Sequence, residues 1–225
     1  MGTWDVATSV AASWIRLGTG GRVQGAAQKR PEKLLEIYEF EACPFCRRVR
    51  EALSQLDLPA LIHPCPKGGR LRAVVRERGG KEQFPFLVDP NTDTSMYESA
   101  DIVRYLARTY EGTAPSSGPL SVLSGSLASG LRMRGRQGRP ARRAAEPLVL
   151  YGYESCPYCR LVRERLCELE LDHHSISVAR GSQEREAFVK RSGKMQVPYL
   201  VDPNTGRAMF ESDPIVTYLE TTYAE

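Results

Sequence analysis

The chain has 225 residues, 41% of them hydrophobic and 26% charged, with a formal net charge of +4. That length suits one large domain or two small ones, and the composition is that of a globular protein able to build its own core. No run approaches the ~18 consecutive apolar residues of a membrane span. The start, Met1 to Asp5, lacks the basic and apolar regions of a secretory signal. The expected location is therefore the cytoplasm. An organelle such as the chloroplast is the alternative, because the first 33 residues are poor in acids.

Residues 1–33 form an N-terminal helical extension of charge about +3. Trp4 and Trp14 are ten residues apart and share a helical face with Val6, Val10 and Ile15; Arg16 and Arg22 follow. Residues 34–110 form a first domain. It opens with an apolar run, Leu34 to Phe40, expected as a buried strand. A helix carrying Val49, Leu53 and Leu56 at i, i+4, i+7 comes next. Leu61-Ile62 marks a second strand and 68–78 a polar helix. Phe84 to Val88 is a third strand closed by an Asp-Pro-Asn turn, and a short fourth strand ends at Tyr97. A last helix, with Ser99 as its expected N-cap, presents Ile102, Tyr105 and Leu106.

Residues 111–146 are a connector rich in Gly, Ser, Pro and Arg, with a charge of about +4. Its composition suits a flexible linker. Ser126 to Leu131 nevertheless echoes Ser9 to Ile15, so the connector is also read as containing a short helix. In both segments an apolar stretch (Leu127 and Leu131 in the connector) runs into arginines, among them Arg132, Arg134, Arg136, Arg139, Arg142 and Arg143. Such a helix fits packing on a neighbouring domain, the favoured reading, or peripheral contact with an anionic membrane surface. Nucleic acid is not expected as a partner, because no aromatics interleave the arginines.

Residues 147–225 repeat the first domain. Positions 34–110 align with 147–223 at a constant offset of 113 without a gap, and about 35 of the 77 pairs are identical. The second copy has its strand at Leu148 to Tyr153, a helix with Val162, Leu166 and Leu169, a strand at Ile176 to Val178, and a polar helix at 181–191. Its fourth strand ends at Phe210, and Ser212 is the expected cap of the last helix. The order β-α-β-α-β-β-α, given twice, makes the fold class α/β: two tandem thioredoxin-like domains, each a four-stranded mixed sheet with flanking helices.

Each copy carries Cys-Pro-x-Cys between its first strand and first helix: Cys43 to Cys46 and Cys156 to Cys159. A cysteine at the helix N-cap, with proline at the first helical position, faces free backbone N–H groups and the positive end of the helix dipole. That favours the thiolate. Cys43 and Cys156 are the expected nucleophiles, with Arg47 and Arg160 adding positive charge; Cys46 and Cys159 are the expected resolving thiols. A structural disulfide, a zinc site joining both pairs and an iron–sulfur cluster are the alternatives, and no metal is expected. Cys65 and Cys167 have no counterpart cysteine; both read as small buried residues, although the polar setting of Cys65 suits exposure as well.

The combination CPFC or CPYC, then QFPFLVD or QVPYLVD, then Glu-Ser at a helix start resembles the N-terminal domain of glutathione S-transferases and glutaredoxins. It is most similar to proteins with two such domains in tandem. The resemblance implies cis bonds at Phe84-Pro85 and Val197-Pro198. It implies glutathione as co-substrate, held by Gln83, Phe84, Pro85, Glu98 and Ser99 in one copy and by Gln196, Val197, Pro198, Glu211 and Ser212 in the other. The expected function is a glutathione-dependent thiol–disulfide oxidoreductase acting on disulfides or glutathionylated proteins. The alternatives are a glutathione transferase or isomerase acting on an electrophile, and a non-catalytic module that binds glutathione or a partner. The helical C-terminal domain of a transferase is replaced here by a second thioredoxin-like domain, which weighs against conjugation of bulky electrophiles.

Overall fold

The computed structural model describes residues 3–15, 19–113 and 134–225. The expected connector helix at 126–131, Arg16, Arg132 and the side chains of Trp4 and Trp14 lie outside the described residues. The first domain contains β1 (Leu35–Glu39), α2 (Pro44–Leu56), β2 (Ala60–Pro64), α3 (Leu71–Gly79), β3 (Phe86–Asp89), β4 (Thr94–Met96) and α4 (Ser99–Thr109). The second repeats this order with β5 (Leu148–Gly152), α5 (Pro157–Glu168), β6 (His173–Ser177), α6 (Glu184–Ser192), β7 (Tyr199–Asp202), β8 (Arg207–Phe210) and α7 (Ser212–Tyr223). A further helix, α1 (Thr3–Ile15), precedes both.

The two four-stranded sheets are joined into a single sheet of eight strands, ordered β4-β3-β1-β2-β6-β5-β7-β8. Within each domain the first two strands are parallel and the other pairings antiparallel. The join is an antiparallel pairing of β2 with β6, Ala60 opposite Ser175 and Ile62 opposite His173. It leaves neither of these strands as an open edge. The second domain's strand begins at His173, ahead of the expected Ile176 to Val178, because pairing across the join recruits both histidines.

Alternation along β1 divides the core. Leu35 and Ile37 face α2 and α4, packing with Val49, Leu53, Leu56, Ile102 and Leu106. Tyr38 points the other way, into a cluster with Val75 and Phe86 beneath α3. Leu148, Leu150, Val162 and Leu166 repeat the first cluster in the second domain. The Asp-Pro-Asn turn locks the last helix. Asp89 accepts hydrogen bonds from Tyr105 (2.7 Å) and Tyr110 (2.6 Å), and Asp202 accepts from Tyr218 and Tyr223 (2.6 Å each). The polar helices start at Leu71 and Glu184, three residues later than expected.

The leading segments cross over. Ahead of domain 1, Val23 N–H donates to the carbonyl of Arg180 in domain 2 (2.9 Å), and Arg180 N–H to that of Gly21 (3.1 Å). Gln24 and Ala27 then turn onto the end of α2. The connector repeats this: Lys67 N–H in domain 1 donates to the Arg136 carbonyl (2.6 Å) and Gly138 N–H to that of Lys67 (2.9 Å), before Arg139 turns onto α5. Helix α1 accordingly packs on domain 2, with Ser9 Oγ donating to the Pro157 carbonyl (2.7 Å).

Charges are sealed where the domains meet. Arg50 donates from Nε to Glu154 (3.1 Å) and lies 3.3 Å from the Glu41 carboxylate. Its repeat-equivalent Arg163 donates to Glu41 (3.1 Å) and lies 2.9 Å from Glu154. All four side chains are no more than 7% exposed. Gly20 and Gly135 let the two arms approach this seam. A Cβ on Gly20 would come within 2.9 Å of Glu154, and one on Gly135 within 2.7 Å of Glu41, both glycines having positive φ. Burial drives the Glu41 carboxyl up, but Arg163 and Arg50 outweigh it and hold it at about 2. This depressed value stabilises the fold above the unfolded value of ~4.3, and the stabilisation is lost as pH falls from there towards 2. Arg163→Ala, which leaves two buried carboxylates to share Arg50, is expected to lower unfolding free energy by about 3–5 kcal/mol at neutral pH. Urea titration measures this, and a loss below about 1 kcal/mol, the range of an exposed pair, would show that the seam is not closed.

Candidate functional site

Both cysteine motifs sit at the junction of a buried strand and a helix. Cys43 caps α2 in an extended conformation (φ −80°, ψ 123°), with Pro44 as first helical residue. Cys156 does the same for α5 (φ −70°, ψ 117°), followed by Pro157. Each capping sulfur accepts a hydrogen bond from the backbone N–H of the second cysteine, at 3.3 Å in both copies. That N–H is one of the helix's unpaired donors, so the sulfur takes the place a serine or aspartate oxygen holds in an ordinary cap.

This geometry separates the two thiols in each motif. Hydrogen bonding from Cys159, through its thiol and then its backbone N–H, draws Cys156 down to about 7 against the opposing effect of burial. Cys43 is lowered by the same bonds from Cys46. Burial, reinforced by the donated hydrogen bond, pushes Cys46 and Cys159 well above the ordinary thiol value. Arg47 and Arg160 do not supply the positive charge expected of them. Arg47 lies 3.7 Å from Glu154 across the seam, and Arg160 donates to the Ser9 carbonyl in α1 (2.8 Å). The arginine that lowers Cys156 is Arg163, one helical turn further on.

The proline-bearing strand lies beside the motif. Phe84-Pro85 and Val197-Pro198 are both cis. Antiparallel pairing of β1 with β3 sets Tyr38 opposite Phe86, and the ring of Phe40, just before the motif, meets that of Phe84 edge-on at 5.9 Å. Arg72 lies over both rings, 5.6 and 4.9 Å from their centroids. Phe45 and Tyr158, the variable residues of the motifs, are exposed (52% and 46%). They form an apolar lip next to each nucleophile.

The Glu-Ser pair takes a different role from the one expected. The capping residues of α4 and α7 are Glu98 and Glu211; Ser99 and Ser212 are the first helical residues and are buried. Both glutamates have positive φ (68° and 72°), a conformation that residues with a Cβ rarely adopt and that tends to occur at functional sites. Gln83 Nε2 donates to Glu98 Oε1 (2.5 Å), and Gln196 makes the same bond to Glu211. Two of the residues named for glutathione therefore meet in each copy, at a helix N-terminus that supplies backbone N–H groups.

Cys65 and Cys167 are buried, so the exposed alternative for Cys65 is corrected; burial raises both thiols. Among the described residues no three His, Cys, Asp or Glu side chains gather in a group able to hold a metal, and no helix is long and apolar enough to cross a membrane. The seam residues Glu41, Arg50, Glu154 and Arg163 escaped the sequence reading. Their signal was present, since an acid ahead of the motif and an arginine on the following helix, among its core leucines, recur at the offset of 113. Alkylation of the reduced protein at neutral pH is expected to label Cys43 and Cys156 and to spare the other four cysteines. Equal labelling within a motif, read by peptide mass spectrometry, would contradict the assignment of the acidic thiol.

The family model described as glutathione S-transferase, N-terminal domain, matches twice, at residues 37–114 and 150–225. No match was found among curated proteins. Among solved structures, the trimeric glutathione transferase TDR1 of Leishmania is similar at 15% identity, over 86% of this chain and 68% of that one, with a TM-score of 0.32. With the family model covering most of its length in two copies, the chain belongs to the glutathione S-transferase N-terminal domain family and carries that domain in tandem.

Proposed function

We propose that the chain is a glutathione-dependent thiol–disulfide oxidoreductase of glutaredoxin type, with Cys43 and Cys156 as nucleophiles. One observation carries the reading: in both copies the first cysteine of CPxC caps a helix and is lowered, while the second, bonded to it at 3.3 Å, is raised. That is the division of labour a dithiol exchange site needs, with one thiol ionised to attack and one held protonated in reserve.

The thiolate attacks the glutathione-side sulfur of a protein–glutathione mixed disulfide. The protein thiolate leaves and takes a proton, and glutathione stays bound to the motif cysteine. A second glutathione thiolate then attacks that bond, releasing glutathione disulfide and restoring the cysteine thiolate. Alternatively Cys46 or Cys159 loses its proton, closes the motif disulfide and expels glutathione, and two further glutathione molecules reopen it. In this reading glutathione lies along the proline-bearing strand. Gln83 with Glu98, or Gln196 with Glu211, receives its γ-glutamyl amine, and the helix N-terminus at Ser99 or Ser212 receives its carboxylate. Phe84 and Val197, each before its proline, offer backbone groups to the cysteine of glutathione. The protein substrate approaches over Phe45 or Tyr158.

The pair of cysteines in each motif favours exchange over conjugation, which needs no resolving thiol. Replacing Cys43 and Cys156 with Ser is expected to reduce turnover of a glutathionylated peptide to background. Replacing Cys46 and Cys159 is expected to retain it, since deglutathionylation needs one thiol. A coupled glutathione reductase assay measures both, and equal losses from the two double variants would overturn the assignment.

A further inference from the structure

The two motifs are not equivalent, and the difference lies behind the cysteines. Across the seam the repeat is strict: Glu41 matches Glu154, Arg47 matches Arg160, Arg50 matches Arg163 and Glu51 matches Glu164. The end of the first strand breaks it. Glu39, the last residue of β1, stands where domain 2 has Gly152. A Cβ on Gly152 would come within 2.9 Å of Cys159 Sγ, so in domain 2 the strand closes directly on the resolving cysteine. In domain 1 the strand leaves room there and fills it with a carboxylate that is only 4% exposed.

That carboxylate changes the arginine beside it. Arg50 is shared among three acids, donating from Nη1 to Glu39, from Nε to Glu154, and lying 3.3 Å from Glu41. Among the described residues Arg163 pairs with two acids, Glu41 and Glu154. The same guanidinium position is therefore more fully neutralised in domain 1 than in domain 2. The charged groups facing Glu39 are Arg50 on α2, Glu41 in the loop after β1, Glu154 in the loop after β5 and Arg163 on α5; the thiols within reach of its charge are Cys43, Cys46, Cys65 and Cys167.

We infer that Glu39 is a positioning residue that makes the domains unequal, by setting a buried negative charge behind Cys43 and Cys46 and engaging Arg50, so that Cys156 is the readier thiolate at neutral pH. The electrostatics run the same way. Glu39 opposes ionisation of both thiols in domain 1, whereas Arg163 favours it for both in domain 2. Burial, only partly offset by Arg50, pushes Glu39 itself up to about 7. Its charge, and with it the handicap of domain 1, grows as pH rises through neutrality. Cys43 and Cys156 are each 4% exposed, so access does not account for a difference between them.

The inference rests on the reading of both motifs as dithiol sites, but its test needs no glutathione. The full-length reduced protein is pulsed with iodoacetamide across pH 5–9, and alkylation of the Cys43 and Cys156 peptides is quantified by mass spectrometry. In the unaltered protein Cys156 is expected to titrate at lower pH than Cys43. In Glu39→Gln the Cys43 midpoint falls towards that of Cys156, and its rate at neutral pH rises by roughly threefold or more, the change that half a pH unit produces. The Cys156 midpoint moves less. Cys43 titrating at or below Cys156 in the unaltered protein would overturn the inference, even if the variant failed to fold. So would a folded Glu39→Gln in which Cys43 is unmoved. Iodoacetamide reads thiolates whatever the co-substrate, so failure here is distinct from failure of the glutathione assay.

Discussion

The exchange of Glu41, Arg50, Glu154 and Arg163 between the two domains is the constraint around which the molecule is built. Each glutamate lies two residues before a motif's first cysteine, and each arginine lies on the helix that the motif starts. Removing such charges from water costs several kcal/mol per ion, and attraction between them repays it only when every group is met. The groups are met only when α2, α5 and the two motif loops dock in this register. The ion network therefore contributes orientation more than net stability. Pairing of β2 with β6 and the crossed leading arms hold the same orientation from either side. The motif loops are anchored by the partner domain as well as by their own.

From that anchoring follows the chemistry of the cysteines. A thiolate at a helix N-cap is stabilised by fixed N–H groups that need no rearrangement when the charge forms. Hydrogen bonding at 3.3 Å from the second cysteine's N–H, repeated in both copies, is the local expression of that rule. The neighbouring arginines were the natural candidates for further positive charge. They are committed elsewhere, Arg47 to the seam and Arg160 to α1. Charge reaches the second motif instead from Arg163, a seam residue. The interface and the candidate active site thus share residues, and a change at one is felt at the other.

Much of this was legible in the sequence because it is local. The strand-to-helix cysteine motif, the X-Pro pairs, the Glu-Ser helix starts and the order of elements all depend on short patterns, and the repeat displays each of them twice. What escaped reading depends on the second domain. No local pattern says that β2 pairs with β6 or that His173 and His174 become strand residues. None says that the N-terminal helix packs on the distant copy, or that Arg50 is buried among three acids. Ser99 and Ser212 look like caps by residue type, yet the preceding glutamates take that place with positive φ, a backbone conformation that residue type does not announce.

The central claim is that each domain presents one ionised cysteine beside a pocket for glutathione. Intact-mass spectrometry of the Cys46→Ser, Cys159→Ser protein after exposure to glutathione disulfide addresses it most directly, because a trapped mixed disulfide reports nucleophile and ligand together. The expected result is two glutathionyl groups per chain, one on Cys43 and one on Cys156, both released by excess reduced glutathione. A chain that takes up none, or carries them on Cys65 and Cys167, would contradict the account.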